Sequence, residues 1–596
     1  MYEKESIVER SGRLVRKKYI EYLASTMAFS LSIYVAAIVD GILVGKLIGP
    51  EAFAAVNMSM PVVYVKNIAF CMFISGGCTL ASQFMGARRF DDCNRVFTIS
   101  LCGGVLFSLL LAIAGVLTAP ALAGFLTGSG ELAGNVEAYL KPLWILAPLT
   151  VLTNGSAGFM RLESRHKLAA SIPIVANVVN LMCDVLYIRV FGWGIGGAGW
   201  ATVTGYAAAA FLLLPWLRSS DRSLRFVMSA FGDIKQIIEV IRVGMPISLI
   251  DACDMLRNYT VNITMLSILG AAGGQIISVC NAALLYATMI ADGFATSMGT
   301  VVGALYGERD RKGILHVLKT ALAMSSGLCV LIFVLLELFP SYFAGIYGVR
   351  AGQILAILIP WMRIYCFAIP LIAPLYVLRC FYQATGHEDT ATQLSVLQGA
   401  VFMIPIFYIL SRVGTFAMAA AFAVSAAMSV AVVVIRMSKR ARREGCDSFL
   451  MLDPNVGSVW ETSIGCTEQE AVEASKTLME VCKNAGLSSS LSGAMSVSVE
   501  ELCVNIARYS GLKANDKIDL FLGIAEDAVV LKVRDGGRIF NPTEYMEDGE
   551  MITGLKLIRA LASKIEYHPI IGFNTTVVTC MREQSAAVAG KESGLS

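Results

Sequence analysis

The chain has 596 residues, 56% of them hydrophobic and only 16% charged, with a formal net charge of +3. Soluble globular domains carry nearer a quarter charged residues, so much of this chain belongs in lipid; the small net charge says little about partners, and nothing in the sequence indicates nucleic acid. Its 15 cysteines stand singly, mostly inside apolar runs, which excludes a disulfide framework or a zinc site of ordinary spacing.

Residues 1–19 form a basic tail (Arg10, Arg13, Arg16, Lys17, Lys18). The apolar stretch behind it is too long for the core of a cleavable signal and lacks a clear small-residue cleavage site, so it reads as the first membrane helix. Twelve apolar segments are placed at 20–48, 55–83, 95–119, 138–160, 169–190, 196–217, 243–269, 275–305, 315–339, 354–381, 391–411 and 414–436. Crossing a bilayer takes about 20 residues. The segments divide into a first lobe of six helices (20–218), a cytoplasmic connection (219–242) and a second lobe of six (243–440). Lys and Arg crowd alternate connections, at Arg88, Arg89, Arg161, Arg165, Lys167, Arg309, Arg311 and Lys312. By the positive-inside rule those connections and both termini face the cytoplasm.

A repeat underlies the lobes. Gly49 and Gly270, Gly86 and Gly307, Arg88 and Arg309, His166 and His387, and Tyr187 and Tyr408 all stand 221 residues apart. Six helices per repeat is an even number, so both halves insert the same way, related by an axis along the membrane normal.

Beyond Arg443 the character changes. Residues 441–460 read as a linker, 461–583 as a soluble α/β sandwich, and 584–596 as a small, polar, disordered tail. Helices fit 467–485, 492–510 and 553–563; strands fit 517–523, 528–534 and 573–581.

Polar groups inside a bilayer are costly, so those present are functional candidates. The first segment holds Asp40; the fifth holds Asn180 and Asp184, four apart and therefore on one helix face; the sixth holds Thr202. Carboxylate, amide and hydroxyl oxygens in a dry lobe suit a proton or a hard cation such as Na⁺. The seventh segment carries Asp251, Asp254 and Asn258 on one face with Arg257 beside them, and the eighth carries Asp292; these are candidates to line the second half of a substrate cavity. Gly194, Gly196 and Gly199 match a dinucleotide-binding pattern, but no soluble strand precedes them, and they serve helix packing instead.

Three motifs follow in order in the soluble part. Glu501 and Asn505 share a helix face and suit Mg²⁺ and the polarisation of a water or hydroxyl. Asp535, Gly537, Phe540 and Pro542 follow a strand; the glycines let backbone approach a ligand, and the Asp suits an adenine amino group. Thr553 and Gly554 open a helix whose free N–H groups suit phosphate, and Thr576 lies on the last strand.

The twelve segments, the six-plus-six repeat and the stretches VDGILVGKLIGPEAFAAVN, ASQFMGARRFDD and GWGIGGAGWATVTGY resemble the multidrug and toxic compound extrusion family over residues 15–440. The resemblance implies that Asp40, Asn180, Asp184 and Thr202 form the coupling site of the first lobe, and that the chain exports small organic cations against H⁺ or Na⁺. Residues 465–583 resemble the GHKL-type ATP-binding fold, most of all its anti-sigma-factor serine kinase branch. That implies ATP with Mg²⁺ held by Asn505, Asp535, Gly537, Gly554 and Thr576, with Glu501 as the base if the domain is a kinase. The phosphate loop here holds less glycine than that branch carries. A transporter tuned by nucleotide is the leading expectation. Two alternatives stand beside it: a membrane-sensing serine kinase or anti-sigma-like protein with a cytoplasmic protein partner, and a flippase for a lipid-linked substrate.

Overall fold

The computed structural model describes residues 10–48, 56, 59–127, 131–219, 222–227, 230, 232–347, 349, 352–446, 448–452, 458–525, 527–539, 541, 546–547, 550–551 and 553–582. The chain divides into two compact units: Tyr22–Asp310 with Val317–Leu452, and Met1–Glu21 with Arg311–His316 and Asp453–Ser596.

The larger unit is helical. Its helices are α1 (Arg13–Leu47, shared with the other unit), α2 (Val62–Gly86), α3 (Phe90–Phe125), α4 (Ala133–Leu162), α5 (His166–Val190) and α6 (Gly194–Arg218). There follow α7 (Ile234–Leu269), α8 (Ala272–Gly307), α9 (Arg311–Leu338, its first turns also shared with the other unit), α10 (Gln353–Ala384), α11 (Glu388–Val413) and α12 (Ala417–Glu444). Among the described residues, ten of these are long and apolar enough to cross a membrane, against twelve expected. The other two are helical but differ for separate reasons. On α1 the side chains of 33–47 lie outside the described residues. On α7 the acids and arginines between Arg242 and Arg257 lower the apolarity of a 36-residue helix. Prolines lie inside α4, α5, α7 and α10, which membrane helices tolerate because neighbouring groups take up the freed carbonyls. Near one of them, Ser395 Oγ donates to the Pro246 carbonyl at 2.8 Å.

The repeat is visible in the backbone. Arg88 and Arg309 both sit at left-handed φ, +61° and +58°. Around them the amides of Ala87, Arg88 and Arg89 donate to Gln83, Met85 and Phe84, and those of Glu308, Arg309 and Asp310 donate to Ala304, Tyr306 and Leu305, the same pattern 221 residues on. The ends of α2 and α8 also meet reciprocally: Gly86 lies against the Ala304 carbonyl and Gly307 against the Gln83 carbonyl. Such an exchange, residue i to j and j to i, is what a two-fold relation produces.

The smaller unit is built on a five-stranded antiparallel sheet of order β1-β2-β3-β7-β6, comprising β1 (Ser458–Gly465), β2 (Lys517–Ile524), β3 (Ala528–Asp535), β6 (Lys564–Ile570) and β7 (Phe573–Met581). A small pair, β4 (Met546–Glu547) and β5 (Glu550–Met551), stands apart. Helices α13 (Glu468–Asn484), α14 (Ser489–Tyr509) and α15 (Thr553–Leu561) supply the rest. Thr467 and Ser488 cap α13 and α14 by accepting from the amides of Glu470 and Leu491, each at 3.3 Å. Period-two alternation puts Ile518, Leu520, Leu522, Val529, Leu531 and Val533 on one face, where they form a core with Leu478, Val499, Leu502 and Ile506 of the helices. The helices and strands read from the sequence correspond to α13, α14, α15, β2, β3 and β7; β1 and β6 lie outside those expectations. In β1 the alternating Glu461 and Ser463 look solvent-bound, yet Glu461 is buried.

Candidate functional site

In the first repeat, α5 positions Asn180 and Asp184 one turn apart, and α6 brings Thr202 to meet Asn180. Asn180 Nδ2 donates to Thr202 Oγ1 at 3.2 Å, and Asp184 is 1% exposed. The approach is close because Gly205 of α6 lies against the Ala176 carbonyl and Asn180 of α5. Directly after Asp184 the helix widens into a π-helical turn, Val185–Val190, a distortion frequent at functional sites. On the same face of α5, Asn177 Nδ2 donates to the Ser32 carbonyl of α1 at 2.8 Å. Asp40 falls on α1, and its side chain lies outside the described residues.

In the second repeat, Asp254 pairs with Arg257 at 2.8 Å, and Asn258 Nδ2 donates to the Tyr64 hydroxyl of α2 at 2.9 Å. Cys71 Sγ donates to Asp251 at 3.9 Å. Arg379 of α10, 5% exposed, lies 4.3 Å over the Tyr376 ring and interacts electrostatically with Asp292 and Asp251. The acids on α7 and α8 thus share one polar cluster with two arginines. Sequence reasoning missed Arg379 and Tyr64. The signal was available for the first, since a lone cation in an apolar run is as costly as a lone acid.

In the smaller unit, β3 ends at Asp535, and the turn behind it is held by hydrogen bonds. Asp535 Oδ1 accepts from the Gly537 amide at 2.7 Å and from Asn574 Nδ2 at 3.0 Å. Asn574 Nδ2 also reaches the Arg538 carbonyl at 3.0 Å, while its Oδ1 accepts from the Tyr567 hydroxyl at 2.9 Å. Gly537 has no room for a Cβ, which would come 2.6 Å from Ser510 Cβ. Burial pushes the Asp535 carboxyl above the usual carboxylate range, and the Asn574 and Gly537 hydrogen bonds oppose the push. Asn505 of α14 is 3% exposed, and its amide nitrogen has no partner among the described residues. A buried amide without a partner is costly and fits a residue awaiting a ligand. Glu501 lies one turn before Asn505 on α14 and is partly exposed. Thr576 is buried on β7 opposite Val533, and Gly554 is the second residue of α15. Phe540 and Pro542 lie outside the described residues. Asn574, which orients Asp535, was not foreseen; it sits in a strand, where a polar residue reads as solvent-facing.

The MatE family pattern matches residues 26–186 and again 246–409. The chain belongs to the MatE family. The two matched stretches of this MatE protein fall on the two repeats, and a histidine kinase-like ATPase domain matches residues 467–580. Among curated relatives, the multidrug export protein MepA of Staphylococcus saprophyticus is 26% identical over 235 residues, 39% of this chain and 52% of that protein. MepA of Staphylococcus aureus is 22% identical over 396 residues, 65% of this chain and 86% of that protein. The first match thus spans about half of the relative's length. Among solved structures, a MOP superfamily transporter from Pyrococcus furiosus has a TM-score of 0.67 at 20% identity, covering 74% of this chain and 100% of its own. An outward-facing multidrug resistance MATE transporter gives the same TM-score and identity, covering 74% and 99%. The fold is that of the MATE transporters, and the protein is a multi-pass membrane protein with an ATPase-like domain.

Proposed function

We propose that this MatE protein is an antiporter, driven by H⁺ or Na⁺, that exports small organic and mainly cationic compounds across the cytoplasmic membrane. Both termini lie in the cytoplasm, and nucleotide on the ATPase-like domain sets the rate. The observation that carries the coupling is the Asn180–Thr202 hydrogen bond next to the buried Asp184. A carboxylate held out of water, with amide and hydroxyl oxygens beside it, gains from taking up a cation and is costly without one. Asp40 completes this set in the reading from sequence. Asp251, Asp254 and Asp292 serve the substrate cavity. The likeness to MepA, a multidrug export protein, supports an organic substrate.

In the ATPase-like domain, Asp535 with its orienting Asn574 suits the adenine amino group, and the unpartnered amide of Asn505 suits a Mg²⁺-bound phosphate. In this reading Gly554 and Thr576 would line the same pocket, and Glu501 would act as the base in any phosphoryl transfer. Bound Mg²⁺ would screen phosphate charge there. The sequence holds no GxxxxGK[ST] loop, so nucleotide acts as a signal and the ion gradient supplies the work.

The test is dye efflux from proteoliposomes under imposed H⁺ or Na⁺ gradients, with and without ATP on the side of the ATPase-like domain. Gradient-driven efflux that Asp184→Asn abolishes is the expected result. Efflux unchanged by either gradient, or unchanged in that variant, refutes the coupling.

A further inference from the structure

The sheet face turned away from the helices is covered by the chain's own N-terminal segment. Asp519, Phe521, Lys532 and Arg534 alternate onto that face with the core residues of β2 and β3. Arg10 Nε donates to Asp519 Oδ2 at 2.9 Å, and both side chains are 0% exposed. The Arg10 guanidinium also lies 4.6 Å over the Phe521 ring. The Ser11 amide donates to Ser463 Oγ at 3.1 Å, and that hydroxyl donates to Asp519 Oδ1 at 2.6 Å. Gly12, at φ +60°, is closed in by the His316 ring, which a Cβ would meet at 2.6 Å. A buried carboxylate with a guanidinium, a hydroxyl and an aromatic ring arranged around it is a fitted seat, not a chance surface contact.

A turn or two further on, the same segment reaches the nucleotide motif. Leu14 and Lys18, at the base of α1, pack against Gly536, the residue between Asp535 and Gly537. Lys17 Nζ binds Asp516 at 2.6 Å, and Lys18 Nζ pairs with Glu21 at 2.8 Å. Leu14, Lys17 and Lys18, with Asn515, Asp516 and Gly536, line a cleft of about 230 Å³. The Lys18 charge also works against the upward push that burial gives the Asp535 carboxyl.

We propose that Arg10–Lys18 is a built-in effector of the nucleotide site: seated on the sheet, it braces the Asp535–Gly537 turn from behind, so nucleotide binding and seating of this segment are linked. The inference deepens the nucleotide reading given above and rests on it. Linkage is reciprocal, so loosening the segment weakens nucleotide binding by the same factor that nucleotide tightens the segment. The element that answers to nucleotide is then the start of α1, which runs on as one helix to Leu47 and carries Asp40.

The experiment uses the full chain in detergent, with a fluorescent ATP analogue and Mg²⁺ as the probe. Arg10→Ala removes the seat without touching the helix-side face of the sheet. Lys18→Ala is a milder second variant that keeps the buried Asp519 pair. Both are expected to weaken binding about fivefold or more, the lower end of typical coupling. In the unmodified protein, hydrogen exchange should show residues 10–21 gaining protection when nucleotide is added. Binding within twofold of the parent in both variants, with unchanged exchange, overturns the proposal. A parent protein that binds no nucleotide overturns the nucleotide reading itself, and this inference with it; that result is told apart because the parent titration is already silent.

Discussion

Replacing Gly307 by Ala tests the two-fold relation between the repeats. Gly307 lies against the Gln83 carbonyl, and a Cβ there has no room unless the ends of α2 and α8 separate. Overpacking of this kind costs about 1–3 kcal/mol. Ala gains back about 1 kcal/mol of helix propensity over Gly, leaving a net loss of up to about 2 kcal/mol. Gly86→Ala meets the Ala304 carbonyl in the same way and should lose the same amount to within about 0.5 kcal/mol. The double variant should lose less than the sum, because the first methyl has already parted the helices. Denaturant-driven unfolding in mixed micelles reads all three values. Additive losses, or a difference clearly above about 0.5 kcal/mol between the single variants, would refute the reciprocal contact.

Three further outcomes are expected. Gly537→Ala should abolish binding of a fluorescent ATP analogue while the circular dichroism of the full chain stays unchanged, since a Cβ there displaces the turn against Ser510. Nucleotide affinity should fall on acidification at a pH above the ordinary aspartate range, because the folded pKa of Asp535 is raised by burial and the protonated acid no longer accepts from adenine. The sign for stability is opposite: the raised pKa contributes stability below the unfolded value, lost as pH climbs through the folded one. Asp535→Asn should flatten both profiles. Cys466, Cys482, Cys503 and Cys580 are buried, and burial raises each thiol, so maleimide labelling of the native domain should be slow and should accelerate on unfolding.

The membrane architecture was legible because apolar runs of spanning length leave few alternatives, and the repeat was legible because a register of 221 survives at turns. The reason appears at Arg88 and Arg309: the same left-handed turn recurs at the end of each matching helix. Within the candidate sites, the sequence brings out residues linked by local spacing, as with Asn180 and Asp184 or Glu501 and Asn505, which share one helix face in the structure. Residues that matter through distant packing were not. Asn574 meets Asp535 across β3 and β7, and Arg379 reaches the α7 and α8 acids from α10. No single-sequence periodicity reports such meetings.

The seat of Arg10 has a practical side. A fragment cut to begin at β1 would leave Asp519 without its guanidinium and lay Phe521 open to water. Such a piece invites clumping, and its nucleotide affinity would describe an injured molecule. Dissection of this protein should therefore carry residues 10–21 along with the sheet, joined by a tether, so that what is measured in isolation is still the native article.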